Sequence, residues 1–166
     1  MSVNKWSRAR RIGLCFAMVV GCTMVLLAVP ALSALKNMAV VVAAGNKLQD
    51  LPLTDLSKLC KGTQKAWPDG RPFTLVIRDP EAPEMRIAVQ KLFGLPPADL
   101  KAAVAKLNES RKVIKVVDSD DELLRAVEST PGAVGLVDVY AINSSVKVLR
   151  LDGKLPFDVG YALKGN

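Results

Sequence analysis

VIKVVDSDDELLRAVESTPGAVGLV, residues 113–137, reads as a strand, a helix and a second strand within 25 consecutive positions. Valine and isoleucine crowd residues 113–117, and such side chains fit a pleated, buried surface. Ser119 then stands three residues before Glu122. That is the spacing of a capping box, in which a hydroxyl oxygen and a carboxylate take up free amides of a first helical turn. Leu123, Leu124 and Val127 recur on one helical face. Thr130-Pro131-Gly132 stops the helix, because proline brings no amide to the ladder. Residues 133–137 return as an apolar strand. A strand, helix, strand unit of this kind belongs to a sheet covered by helices.

Working toward the amino terminus, the same grammar repeats. Pro96-Pro97 opens a helix whose stripe is Leu100, Val104 and Leu107, with Asp99, Lys101 and Lys106 facing out. Pro80 and Pro83 precede another, with Met85, Ala88, Val89 and Leu92 on its buried face. Residues 73–77 form a core strand after the turn Trp67-Pro68-Asp69-Gly70. Residues 53–60 are a two-turn helix with Thr54 placed to cap it and Leu56, Leu59 and Cys60 on one face. Residues 38–43 are a valine-rich buried strand stopped by Gly45-Asn46. Toward the carboxyl terminus, residues 146–151 are a strand, Asp152-Gly153 a tight turn, and an extended piece lies near Tyr161. The expectation is an α/β fold with a mainly parallel sheet flanked by helices. About 130 residues suffice for one core.

The formal charge of +7 is uneven: Lys5, Arg8, Arg10 and Arg11 supply four of 23 basic residues ahead of any acid. The remaining 19 basic and 16 acidic residues leave +3, spread without a basic run or interleaved aromatics. That distribution argues against nucleic-acid binding. With no histidine in the chain, the commonest general base and metal ligand are missing. No metal site or cofactor is expected. Cys15 and Cys22 fall in the apolar amino-terminal stretch, so Cys60 has no partner for a disulfide and reads as a small buried hydrophobe.

Behind the basic flank, residues 12–35 carry no charge. This is export chemistry, and it divides the chain into a signal peptide or membrane anchor at 1–35 and a folded part at 36–166. The length favours an anchoring apolar helix, whereas Ala31-Leu32-Ser33 offers a cleavage site. A third option is the stretch Val19-Val20-Gly21-Cys22, which is similar to a bacterial lipoprotein box. Each option puts residues 36–166 outside the cytoplasm, periplasmic or held at the inner membrane.

In this order the elements resemble a family. Residues 38–46, residues 56–62 followed by Trp67-Pro68-Asp69-Gly70, residues 93–100, and residues 130–137 are similar to successive stretches of the phosphate-type substrate-binding proteins of ATP-binding-cassette uptake systems. The resemblance implies one lobe of a type II periplasmic-binding-protein-like fold. It also implies a non-catalytic binding module, with phosphate or another small oxyanion as ligand and transporter or other envelope proteins as partners.

Full-length relatives, as the resemblance implies, hold phosphate with an arginine, an acidic residue and a serine-glycine-threonine turn at a helix start. Backbone amides there attract an anion, and arginine binds two oxygens at once. Arg78 and Asp79 match that pattern; Ala82 and Pro83 supply no hydroxyl, and Glu81 and Glu84 add negative charge. The expected ligand-binding set is Gly45 and Asn46 at the end of the first strand with Arg78, Asp79 and Arg86, along one carboxyl edge where open α/β sheets hold ligands. The alternative is a lobe that contacts another envelope protein and binds no small molecule. No catalytic residues are identified: Asp120-Asp121-Glu122 is explained by helix capping, and Asp138 and Tyr140 follow a strand end and could face the cleft, but the sequence identifies no base or nucleophile to act with them.

Overall fold

The computed structural model describes residues 37–111 and 113–165. The basic flank, residues 12–35, and Cys15 and Cys22 lie outside the described residues. Among the described residues no helix is long and apolar enough to cross a membrane.

The strands are β1 Met38–Ala43, β2 Asp50–Leu51, β3 Thr74–Ile77, β4 Ile114–Val116, β5 Ala133–Asp138, β6 Val146–Val148 and β7 Arg150–Leu151. The helices are α1 Leu53–Cys60, α2 Pro83–Phe93, α3 Pro97–Ser110 and α4 Asp120–Ser129, with a 3-10 turn at Val139–Ala141. Five strands form one sheet in the order β4, β3, β5, β1, β6. Alternation along β1 divides the core. Met38, Val40 and Val42 join the side packed by α1, α2 and α3, while Ala39 and Val41 join the side covered by α4. Burying both faces is why the central strands read as continuous apolar runs.

The helix-covered α/β sheet agrees with the expectation, and its strand directions refine it. The sheet is mixed: β3 runs parallel to β4 and β5, and β1 runs antiparallel to β5 and β6. β1 therefore points against the other four strands. Its neighbours come from far along the chain, with Met38 opposite Asp138 and Val41 opposite Val148. No local crossover fixes its direction.

Three local readings are corrected. The expected strand at residues 146–151 is two, because Leu149, whose amide donates to Val40 O at 2.8 Å, stands between β6 in the large sheet and β7 paired parallel with β2. Thr54 does not cap α1. Pro52 occupies the N-cap, and the Leu53 amide donates instead to Asp152 Oδ1 at 3.2 Å, 99 positions away. The segment around Tyr161 is turns and no strand; it covers the core with Tyr161 and Leu163 buried, and Leu163 O accepts from the Met38 amide at 3.3 Å.

The stretches that carried the resemblance meet in space. Trp67 is buried edge-to-face against Phe73 with ring centroids 5.7 Å apart, and its Nε1 donates to Gly132 O at 2.9 Å. This bond ties the Trp-Pro-Asp-Gly turn to the turn that starts β5.

Candidate functional site

Because β1 runs against its neighbours, the expected site residues occupy two ends of the sheet. Arg78 and Asp79 follow β3 at the end where β4, β5 and β6 also finish. Gly45 and Asn46 follow β1 at the other end, where they line a cavity of about 220 Å³ with Arg71 and residues 128–133. Asn46 Oδ1 is used locally, accepting from the Leu48 amide at 3.0 Å. The five residues thus form no single constellation; a shared carboxyl edge would have required β1 to be parallel.

Arg78 leaves β3 where the strand is clamped by β4, with the Val117 amide donating to Ile77 O at 2.9 Å. Its side chain is 32% exposed, and Nη1 stands 3.6 Å from Glu84 Oε1 and 3.7 Å from Asp120 Oδ1. These separations are ion pairs and exceed a hydrogen bond. Asp79 folds back on its own turn, its Oδ1 accepting from the Glu81 amide at 3.0 Å. Arg86 is exposed and, among the described residues, reaches only Glu81 O, at 3.5 Å. It does not line the cavity at Arg78. That cavity, about 420 Å³, is formed by Arg78, Asp118, Ser119, Asp120, Asp121 and Ala141.

Two helix starts lie near this edge, one without a side-chain cap and one already occupied. Helix α2 begins after Ala82 with no side-chain cap and with Pro83 in its first turn. Helix α4 begins with the serine cap that the sequence predicts, the Glu122 amide donating to Ser119 Oγ at 3.2 Å, whereas Glu122 Oε2 accepts from the Asp118 amide, one residue before the N-cap, at 3.2 Å. Asp120, Asp121 and Glu122 place negative charge against the positive end of that helix.

The charge balance decides what the edge can hold. One guanidinium faces three carboxylates around the cavity, with Glu84 as a fourth on its flank. A unit charge about 4 Å away contributes ~4 kcal/mol in a partly buried setting and ~1 kcal/mol in water. The attraction of one arginine for an oxyanion is therefore opposed by repulsions of similar size. Cationic groups fit this edge better.

Beyond the cavity, Asp138 is buried at the end of β5, its Oδ1 accepting from the Tyr140 amide at 3.0 Å. Tyr140 itself is 85% exposed and lies against Phe157, 65% exposed, with ring centroids 6.3 Å apart; Val159, nearby in the chain, is 92% exposed. The pairing of Tyr140 with Phe157 was not foreseen, since nothing in a stretch of turns signals which aromatic 17 positions away will meet it. Among the described residues no group of three His, Cys, Asp or Glu side chains could hold a metal ion.

No family model matches the chain. Structural likeness is clearer. The crystal structure of PstS from Borrelia burgdorferi aligns with a TM-score of 0.60 at 18% identity, over 79% of this chain and 55% of that one. An ABC-type phosphate transport receptor from Vibrio cholerae aligns with a TM-score of 0.56 at 20% identity, over 73% and 48%. The fold is the one that these structures share over about half of their length. A putative phosphate ABC transporter substrate-binding protein from Clostridium perfringens, solved with bound phosphate, aligns with a TM-score of 0.55 at 19% identity, over 71% and 46%. By sequence, the phosphate-binding protein PstS 2 of Streptococcus agalactiae serotype V is 32% identical over 79 residues, which are 48% of this chain and 26% of that protein; PstS 2 of serotype III matches equally. The chain thus spans about half the length of the similar structures and about a quarter of the curated relatives.

Proposed function

We propose that this chain is an extracytoplasmic, non-catalytic binding module with the phosphate-receptor fold, and that it engages a protein partner across the Arg78 edge instead of closing on an oxyanion by itself. The observation that carries this reading is the surrounding of Arg78 by Glu84 and Asp120 at 3.6 and 3.7 Å, where Ala82 and Pro83 bring no hydroxyl to the start of α2. The exposed pair Tyr140 and Phe157 supports it, because exposed aromatic clusters mark interaction surfaces. Export is supported by the basic flank at residues 5–11 followed by the uncharged residues 12–35. A binding role in place of catalysis accords with relatives named as phosphate-binding proteins.

A second reading keeps phosphate or a similar oxyanion as the ligand, shared with a partner lobe that supplies the opposite wall. It is favoured by the position of Arg78 at the carboxyl end of β3, the edge at which open α/β sheets hold ligands. Titration calorimetry of residues 36–166 with phosphate and with sulfate, alone and with the partner lobe present, separates the two. The first reading expects no heat of binding at millimolar anion; saturable binding tighter than ~1 mM, about 4 kcal/mol, would overturn it in favour of the second.

A further inference from the structure

On the helical layer, α1, α2 and α3 leave a groove of about 600 Å³. Its floor is carbon: Phe93 at the end of α2, Leu95 in the following link, and Ala103 and Leu107 on α3. Phe93 is buried and the other three are half-buried, so the floor is part of the packed core and a preformed surface. The volume falls within the range of small-molecule pockets, which are mostly apolar with a few convergent polar groups.

The polar groups here are two lysines. Lys61 follows α1 and Lys106 projects from α3, and both line the groove. Lys61 Nζ lies over Gly94, only 3.4 Å from where a β-carbon on that glycine would stand. Among the described residues neither lysine forms an ion pair, whereas Lys58, Arg71, Arg78 and Lys101 all do. Glu109 is the one carboxylate on the lining. Arg111 reinforces the positive side, donating from Nη2 to Gly62 O at 2.6 Å.

A carbon floor with unpaired ammonium groups at its rim matches a molecule with a hydrocarbon body and an anionic head. We propose that this groove binds a single-chain anionic amphiphile, its alkyl chain over Phe93, Leu95, Ala103 and Leu107 and its carboxylate or phosphate head between Lys61 and Lys106. Burial of the alkyl chain supplies affinity while the lysines select the charge of the head. This inference does not depend on the Arg78 edge or on its partner.

The test uses the full chain in membranes and a photoactivatable decanoate, with labelled peptides mapped by mass spectrometry so that partition into lipid is told apart from binding in the groove. The expected result is labelling at residues 93–95 and 103–110, weaker by roughly fivefold or more in the Lys61→Glu, Lys106→Glu double variant and with an alkylammonium probe of equal length. Thermal unfolding of that variant checks that the exposed lysines can be replaced without loss of the fold, and Leu107→Asp provides a second variant directed at the floor. A photoactivatable phosphatidylglycerol arm separates a free single-chain amphiphile from a two-chain membrane lipid: labelling of the groove by decanoate supports the proposal, and labelling by phosphatidylglycerol alone would overturn it. Labelling confined to other peptides, or groove labelling indifferent to both lysines and to the sign of the probe's charge, would overturn the proposal.

Discussion

Between Trp67 and the start of β5 there is room for a backbone and no side chain. Gly132 has φ +80°, and a β-carbon there would be driven into Pro72 O and would stand 3.4 Å from Trp67 Nε1. A left-handed non-glycine residue costs about 1–3 kcal/mol, before the collision is counted. Gly132→Ala should therefore lower stability by ~2 kcal/mol or more, read as a shift in the urea midpoint without a change in slope. Cys60 has a different constraint. Burial lifts its thiol far above the ordinary value, and the neighbouring backbone amide and Lys61 pull the other way without prevailing. Below pH ~8.5 the folded and unfolded states both keep the proton; above it the unfolded chain releases it and the folded chain does not. Stability should then fall as pH rises past ~8.5, by up to ~1.4 kcal/mol per pH unit from this one group. In residues 36–166, Cys60→Ala should flatten that decline between pH ~8.5 and ~10, before Tyr161, also raised by burial, joins in; urea midpoints across that range measure it.

At the scale of elements, the cap of α4 is local and independent of the rest. Ser119→Ala removes the acceptor of the Glu122 amide and should cost about 1 kcal/mol in urea unfolding, with Ser119→Asp restoring most of it. The same locality explains what could be read from the chain. The capping box, the proline openings of α2 and α3 and the buried stripes are written within a few residues, so those helices and the central strands follow from the sequence. Contacts made across long separations are not written that way. Asp152 caps α1 from 99 positions away, and β2 and β7 are two-residue strands with no periodicity to detect. Strand direction is equally silent, since alternation looks the same read either way. For that reason Gly45 and Asn46 were grouped with Arg78 although the antiparallel β1 carries them to the other end of the sheet. The Arg78-Asp79 pair was visible as a motif, while Asp120, 42 positions later, was legible only as part of a cap.

The described fold presents two unlike faces for contact, the acidic Arg78 edge with its exposed aromatics and the lysine-rimmed groove on the helical layer. Tyr140 and Phe157 touch each other and are largely open to solvent, so a double change to serine should leave thermal unfolding within ~1 kcal/mol of the parent while weakening association with the proposed protein partner by tenfold or more. Photo-crosslinking from position 140 in intact cells, compared with and without Phe157→Ser, measures the second effect. Unchanged crosslinking would move the contact away from this pair.

The placement of β1 also governs when the molecule can become whole. It is the first strand of the described fold, yet both of its edges are closed by strands that emerge roughly a hundred residues later. Until β5 and β6 exist, its amides and carbonyls have no ladder to join and its valines no second layer to shelter them. β1 cannot join the sheet until residues through Val148 have been synthesised, and during that interval its valine ribbon stands exposed and open to unwanted pairing.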